Sequence, residues 1–280
     1  MSDDFLRLAV AGVQQLAPYQ PGKPVEELAR EFGLNPHCIV KLASNENPLG
    51  ASPKVAAAIA AAMPELARYP DGAGFALKQA LAARYSVKPE QITLGNGSND
   101  LLELVVRAFL APSLNAVFSQ YAFAVYPLAT QAVGAEGRSV AAQDYGHDLP
   151  AMAAAIDSHT RVVFIANPNN PTGTWFNRAA LKDFLASVPS SVLVVLDEAY
   201  IEYAQDDELP DGLELLAQHA NLLVLRTFSK AFYEPVLLQY PMSGFIAACL
   251  FFRIVNVQVQ TVRLILFLRF VVTCYEKTRS

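Results

Sequence analysis

Four short stretches carry residues whose types could do chemistry, and each follows a run of apolar, β-branched residues. The first is Thr-Phe-Ser-Lys-Ala at 227–231, after Asn-Leu-Leu-Val-Leu-Arg. Lys230 there stands beside the hydroxyls of Thr227 and Ser229 in an otherwise apolar segment. A lysine partly withdrawn from water can act as an amine nucleophile towards a carbonyl. In the second, Val-Leu-Val-Val-Leu ends in Asp197, followed by Glu198 and Tyr200. A carboxylate at the end of a buried strand is costly unless paired, so a cationic partner is expected, from elsewhere in the chain or from a bound heterocycle. The third is Ala-Asn-Pro-Asn-Asn-Pro-Thr-Gly at 166–173, a proline-restricted turn in which Asn170 is poised to present its amide. In the fourth, Leu-Gly-Asn-Gly-Ser-Asn-Asp at 94–100, Ser98 and Asn99 open a helix whose free N–H groups suit an anion.

Each stretch also has an ordinary structural reading. Gly-Ser-Asn is a common turn and helix cap, Asn-Pro is common turn chemistry, Asp197 could cap the next turn, and most lysines are exposed and idle. It is the combination that asks for a ligand: an anion cradle, an amide, a buried acid and an amine. A phosphorylated, nitrogen-containing aldehyde meets all four demands, and pyridoxal phosphate is such a molecule. Its phosphate suits the helix start, its aldehyde Lys230, its pyridine nitrogen Asp197, and its ring oxygen Asn170 and Tyr200.

These residues need a scaffold that gathers strand ends, and the pattern predicts one. Strands are expected at 91–95, 115–119, 161–166, 192–197 and 221–226. Helices are expected at Ser98–Phe109, Phe123–Val133, Leu149–Ser158, Arg178–Ser187 and Asp211–Gln218. Earlier, Ser52 and Pro53 open an alanine-rich helix, and a second follows from Gly74. The alternation implies a mainly parallel sheet covered by helices, and such sheets bind ligands at the carboxyl ends of their strands. The 280 residues suffice for a substantial core. A net charge of −5, without a basic block, argues against a nucleic-acid partner. Three cysteines without a CxxC pair and four scattered histidines (His37, His147, His159, His219) suggest neither a disulfide framework nor a metal site. The acidic N-terminus lacks the form of a signal peptide, so a cytoplasmic location is expected.

Seven segments in order, LASNENPLG, RYPDGAG, GNGSND, SQYAFAVYPL, ANPNNPTG, DEAYIEY and RTFSKAF, resemble the fold type I aminotransferases, most closely the histidinol-phosphate branch. The resemblance spans about residues 18–232. It implies a three-layer α/β/α large domain at 41–232, an N-terminal arm at 1–40 and an incomplete small domain. It also implies a pyridoxal-phosphate-dependent transfer of an amino group between histidinol phosphate and 2-oxoglutarate, with glutamate as donor in one half-reaction. By the same resemblance, Lys230 bonds the cofactor aldehyde and shuttles a proton, and Asp197 pairs with the pyridine nitrogen. Asn170 and Tyr200 hold the ring oxygen, Tyr121 stacks on the ring, and Ser98, Asn99, Thr227 and Ser229 contact the phosphate. Tyr69 reaches the phosphate of a neighbouring subunit, implying a homodimer, and Asn45 borders the substrate. Related activities, an aromatic-amino-acid aminotransferase or a phosphothreonine-type decarboxylase, stay open, as does an inactive cofactor-binding fragment.

After Phe232 the pattern changes. The resemblance calls for an arginine on the cofactor phosphate eight residues past the lysine, but position 238 is leucine. Residues 233–280 hold one glycine, no aspartate, and five basic against two acidic residues. Three origins fit this tail: a shifted reading frame, a membrane segment, or a divergent extension packed on the large domain. Arg253, Arg263 and Arg269 interrupt the apolar runs, which argues against a spanning helix. The absence of the arginine predicts weak activity or none.

Overall fold

The computed structural model describes residues 7–17, 19, 22–47, 50, 52–65, 67–204 and 206–230, and the backbone of 248–253. The helices are α1 (Ala11–Gln14), α2 (Val25–Phe32), α3 (Pro53–Ala62), α4 (Phe75–Tyr85), α5 (Gly97–Phe109), α6 (Val125–Ala132), α7 (Leu149–Ala154) and α8 (Arg178–Ser187). The strands are β1 (Ile92–Asn96), β2 (Asn115–Ser119), β3 (Glu136–Val140), β4 (Thr160–Ala166), β5 (Leu193–Asp197), β6 (Leu222–Thr227) and β7 (Ala248–Arg253). They form one sheet in the order β1-β7-β6-β5-β4-β2-β3. β3, β2, β4, β5 and β6 pair in parallel, and β7 runs antiparallel to both β6 and β1. Six strands therefore end on one edge.

Alternation along the central strands builds the three layers. Val163 and Ile165, Val194 and Leu196, and Leu222 and Val224 face a core shared with α4, α7 and α8. Val162 and Phe164, Val195, and Leu223 and Leu225 face a second core against α5 and α6. Successive strand residues point to opposite faces, so strands covered on both faces must be apolar throughout. In α5, Leu101, Leu102, Val105 and Val106 form the buried stripe that a 3.6-residue period requires. The N-terminal segment closes on this layer where α1 meets α6. A Cβ on Gly12 would lie 2.0 Å from the Gln131 carbonyl oxygen, so only glycine fits that approach.

Several predicted boundaries move, for local reasons. The helix expected to reach Ser158 ends at Ala154, because Asp157 Oδ1 accepts from the N–H groups of His159 and Thr160 and makes a turn instead. The helix expected at Asp211–Gln218 is a single 3-10 turn at Gly212–Leu215. Gly212 presses on the sheet, where a Cβ would meet Leu196 Cδ2 at 2.5 Å, and its N–H donates to Glu198 Oε1 at 2.7 Å. The helix expected from Phe123 begins at Val125. β3 was not expected, since its sequence Glu-Gly-Arg-Ser-Val lies at the sheet edge and needs no apolar run.

The expected boundary at 232 is crossed by the sheet. β7, within the tail, fills the slot between β6 and β1, pairing Leu225 with Phe251 and Leu94 with Leu250. The remaining tail positions, Leu238 among them, lie outside the described residues. No helix among the described residues is long and apolar enough to cross a membrane.

Candidate active site

At the edge where the strands end lies a cavity of about 490 Å³. Its walls come from the start of α5 (Asn96 to Asn99), Phe123 and Tyr126, the turn after β4 (Pro168, Asn170, Pro171), and the end of β5 (Asp197, Tyr200). Ser229 and Lys230 after β6, and Ser44 and Asn45 from the N-terminal segment, complete it. Of the residues expected to act, Ser98, Asn99, Asn170, Asp197, Tyr200, Ser229, Lys230 and Asn45 are gathered here.

Asp197 is 5 % exposed. Its Oδ2 accepts a hydrogen bond from the Tyr126 hydroxyl at 2.7 Å, and its Oδ1 accepts from the Ala199 N–H at 3.2 Å. Of the two cation sources left open by the sequence, these hydrogen bonds to Asp197 supply neither: both come from neutral donors. Burial pushes the Asp197 carboxyl above the usual carboxylate range, and both hydrogen bonds oppose that push. Asp197 also borders the cavity, where a ligand can reach its remaining lone pairs.

Beside it, the Asn45 amide donates to the Tyr200 hydroxyl at 3.1 Å and to Asn170 Oδ1 at 3.4 Å. With its Oδ1 engaged, Asn170 keeps its N–H groups as donors towards a ligand oxygen. Burial raises the Tyr200 phenol, while the hydrogen bond from Asn45 lowers it and nearby Asp197 raises it further. Ser44 and Asn45 both adopt left-handed backbone (φ 72° and 49°), an uncommon conformation that concentrates at functional sites. This turn also aims the Ser44 carbonyl at Lys230, whose Nζ donates to it at 3.3 Å and lies 5.8 Å from the Tyr200 ring centroid.

The opposite end is the start of α5. Gly97 opens the helix at φ 79°, where a side chain would be strained, and the Asn96 N–H donates to Asp100 Oδ2 at 3.1 Å. The N–H groups next in line, at Ser98 and Asn99, border the cavity. Thr227, expected as a direct contact, is buried behind Ser229: its Oγ1 accepts from the Ser229 N–H at 3.1 Å and lies 2.8 Å from Ser229 Oγ. Lys230 is the sole basic residue among the described residues lining the cavity. Arg226, close in sequence, is committed elsewhere. Its Nε and Nη2 donate to buried Glu198 Oε2 at 3.0 and 2.8 Å, and Nη2 also donates to Asp211 Oδ1 at 2.8 Å.

Two expected residues stand apart. Tyr121 packs on Tyr145 with centroids 5.5 Å apart and does not line the cavity, whereas Phe123 and Tyr126 do. Tyr69 is 92 % exposed. Tyr126 was missed, although a signal existed. With Ala129 and Thr130 it forms the buried i, i+3, i+4 stripe of α6, and a buried phenol needs a partner.

An α/β layer with an acid, an amide and a lysine converging at its strand ends defines a ligand-binding class rather than an activity. The comparisons narrow it. Residues 38–233 match the model of the aminotransferase class I and II family, and the chain belongs to that family. It is 72 % identical over 229 residues to histidinol-phosphate aminotransferase 2 of Pseudomonas aeruginosa, covering 82 % of this chain and 62 % of that one. The corresponding protein of Pseudomonas fluorescens strain Pf0-1 is 71 % identical over 232 residues, covering 83 % and 63 %. Among solved structures, histidinol-phosphate aminotransferase from Sinorhizobium meliloti in complex with pyridoxal-5'-phosphate superposes with a TM-score of 0.73 at 29 % identity, over 87 % of this chain and 62 % of that one. Aspartate aminotransferase from Thermus thermophilus, at 22 % identity and a TM-score of 0.71 over 86 % and 64 %, shares the fold. The chain thus spans about 62 % of the length of the relatives it matches.

Proposed function

We propose that this chain is the cofactor-binding part of a pyridoxal-phosphate-dependent aminotransferase acting on histidinol phosphate with 2-oxoglutarate, and that its turnover is weak. The observation that carries the reading is Asp197: a buried carboxylate facing the cavity and held by neutral donors suits a cationic ring nitrogen. The other residues fit the same cofactor. Asn170 and Tyr200 would hold the ring oxygen, Phe123 would border the ring, and Ser98, Asn99 and Ser229 would hold the phosphate at the start of α5. Lys230 would bond the aldehyde. When bound, the protonated pyridine supplies an electron sink for a carbanion at the substrate α-carbon. Lys230 Nζ would be the amine that moves a proton there, and Asn45 ties together Asn170 and Tyr200, the two groups that would hold the ring oxygen.

Two further parts belong to the same proposal. Tyr69, almost fully exposed, supports a homodimer in which it serves the phosphate of the neighbouring site. Leu238 in place of arginine, together with Lys230 as the sole basic residue among the described residues lining the cavity, supports impaired phosphate retention and weak turnover. The cytoplasm is the proposed location.

The test is an absorbance titration of the purified chain with pyridoxal phosphate, beside Lys230→Ala. A visible band that requires Lys230 and is bleached by glutamate supports the reading, and its absence rejects it. Turnover of histidinol phosphate on the order of 10 per second, typical of enzymes, would reject the impairment.

A further inference from the structure

Tyr126 is 1 % exposed, and its ring is locked between two others. It stacks on Phe164 at 4.8 Å with an interplanar angle of 10° and meets Phe123 edge-on at 5.8 Å. The hydroxyl direction is therefore fixed, and it ends on Asp197 Oδ2 at 2.7 Å. An ionised carboxylate offers about four lone-pair directions. Tyr126 and the Ala199 N–H take one on each oxygen, and Asp197 also lines the cavity. The kind of donor matters. An arginine here would neutralise the carboxylate and end its attraction for a ligand cation. A phenylalanine would leave a buried oxygen without a donor, and burial would favour the neutral acid. A phenol stabilises the anion without cancelling its charge.

Resting on the cofactor reading above, we infer that Tyr126 is a positioning residue: its hydroxyl keeps Asp197 ionised and aimed, so that the preference for a protonated ring nitrogen depends on it. Tyr126 acts through Asp197, so a purely structural role has to be separated from this one.

Equilibrium binding of pyridoxal phosphate and of its 1-deaza analogue, which has carbon in place of the ring nitrogen, makes that separation. Wild-type protein should prefer pyridoxal phosphate. In Tyr126→Phe the preference should shrink about 10- to 100-fold, the worth of one hydrogen bond to a charged group, with affinity for the deaza analogue held within about threefold. Phe164→Leu loosens the same ring without removing the hydroxyl and should weaken both ligands alike. Equal weakening of both ligands in Tyr126→Phe, or an unchanged preference, would overturn the inference. Wild-type protein that binds neither ligand, or both equally, would reject the cofactor reading itself. Should Tyr126→Phe fail to fold, 3-fluorotyrosine at position 126 gives the converse test. Its stronger hydroxyl donor should widen the preference, and an unchanged or narrowed one would overturn the inference.

Discussion

At the ring end of the cavity, each group is held by a hydrogen bond from a different element of the chain. Asp197 is tied to Tyr126, and Asn170 and Tyr200 are both tied to Asn45. At the anion end, the described residues are a helix start with small hydroxyl and amide side chains. Arg226, close to Ser229 in sequence, spends its charge on Glu198 and Asp211 under the sheet. Among the described residues, the ring end is preorganised by side chains, whereas the anion end offers backbone dipoles and neutral donors. Affinity should therefore be decided at the ring end, and retention of the phosphate should be the weak point.

The largest expected effect comes from the ring end. Asp197→Asn leaves the shape intact and removes the charge, so the dissociation constant for pyridoxal phosphate in an equilibrium titration should rise roughly 100-fold or more. At the anion end, Ser229→Ala should raise it only about 10-fold, the worth of one hydrogen bond to a charged group. A larger effect at Ser229 than at Asp197 would invert the comparison. Asn45→Ala removes the clasp without removing a proposed ring contact, and it should cost about three- to tenfold.

A fourth prediction concerns the segment that carries Asn170. Ala166, the last residue of β4, donates its N–H to His147 Nε2 at 3.2 Å, so His147 must be neutral to accept. Burial lowers this histidine from 6.5 to about 4. The unfolded chain then binds more protons than the folded one between those values. The contribution is complete above the unfolded value and is lost as pH falls towards about 4, up to about 3 kcal/mol in all. Urea unfolding from pH 7 to pH 4 should show this slope, and His147→Asn should flatten it.

Much of the ring end was legible in the sequence because strand-end positions announce themselves. Asp197 closes an apolar run and Lys230 follows another, and the parallel pairing of β5 with β6 then brings them to one edge. Less legible was whatever depends on contacts between distant elements. Tyr126 meets Asp197 across 71 positions, and Asn45 meets Tyr200 across 155. No local spacing encodes such pairs. Tyr121 and Phe123 lie two residues apart in the loop before α6, and only the packed structure shows that Phe123 faces the cavity. β3 was missed because an edge strand tolerates polar residues, and β7 because its slot is defined by its neighbours.

The measurement that bears most directly on this account is the absorbance titration with pyridoxal phosphate, run on the wild-type chain, Lys230→Ala and Asp197→Asn side by side. The account predicts a visible band in the wild type, its disappearance without Lys230, and its persistence with a much weaker apparent affinity in Asp197→Asn. Equal bands in all three proteins would contradict it, showing that the aldehyde reacts with surface amines and that the strand-end cavity is not where the cofactor binds.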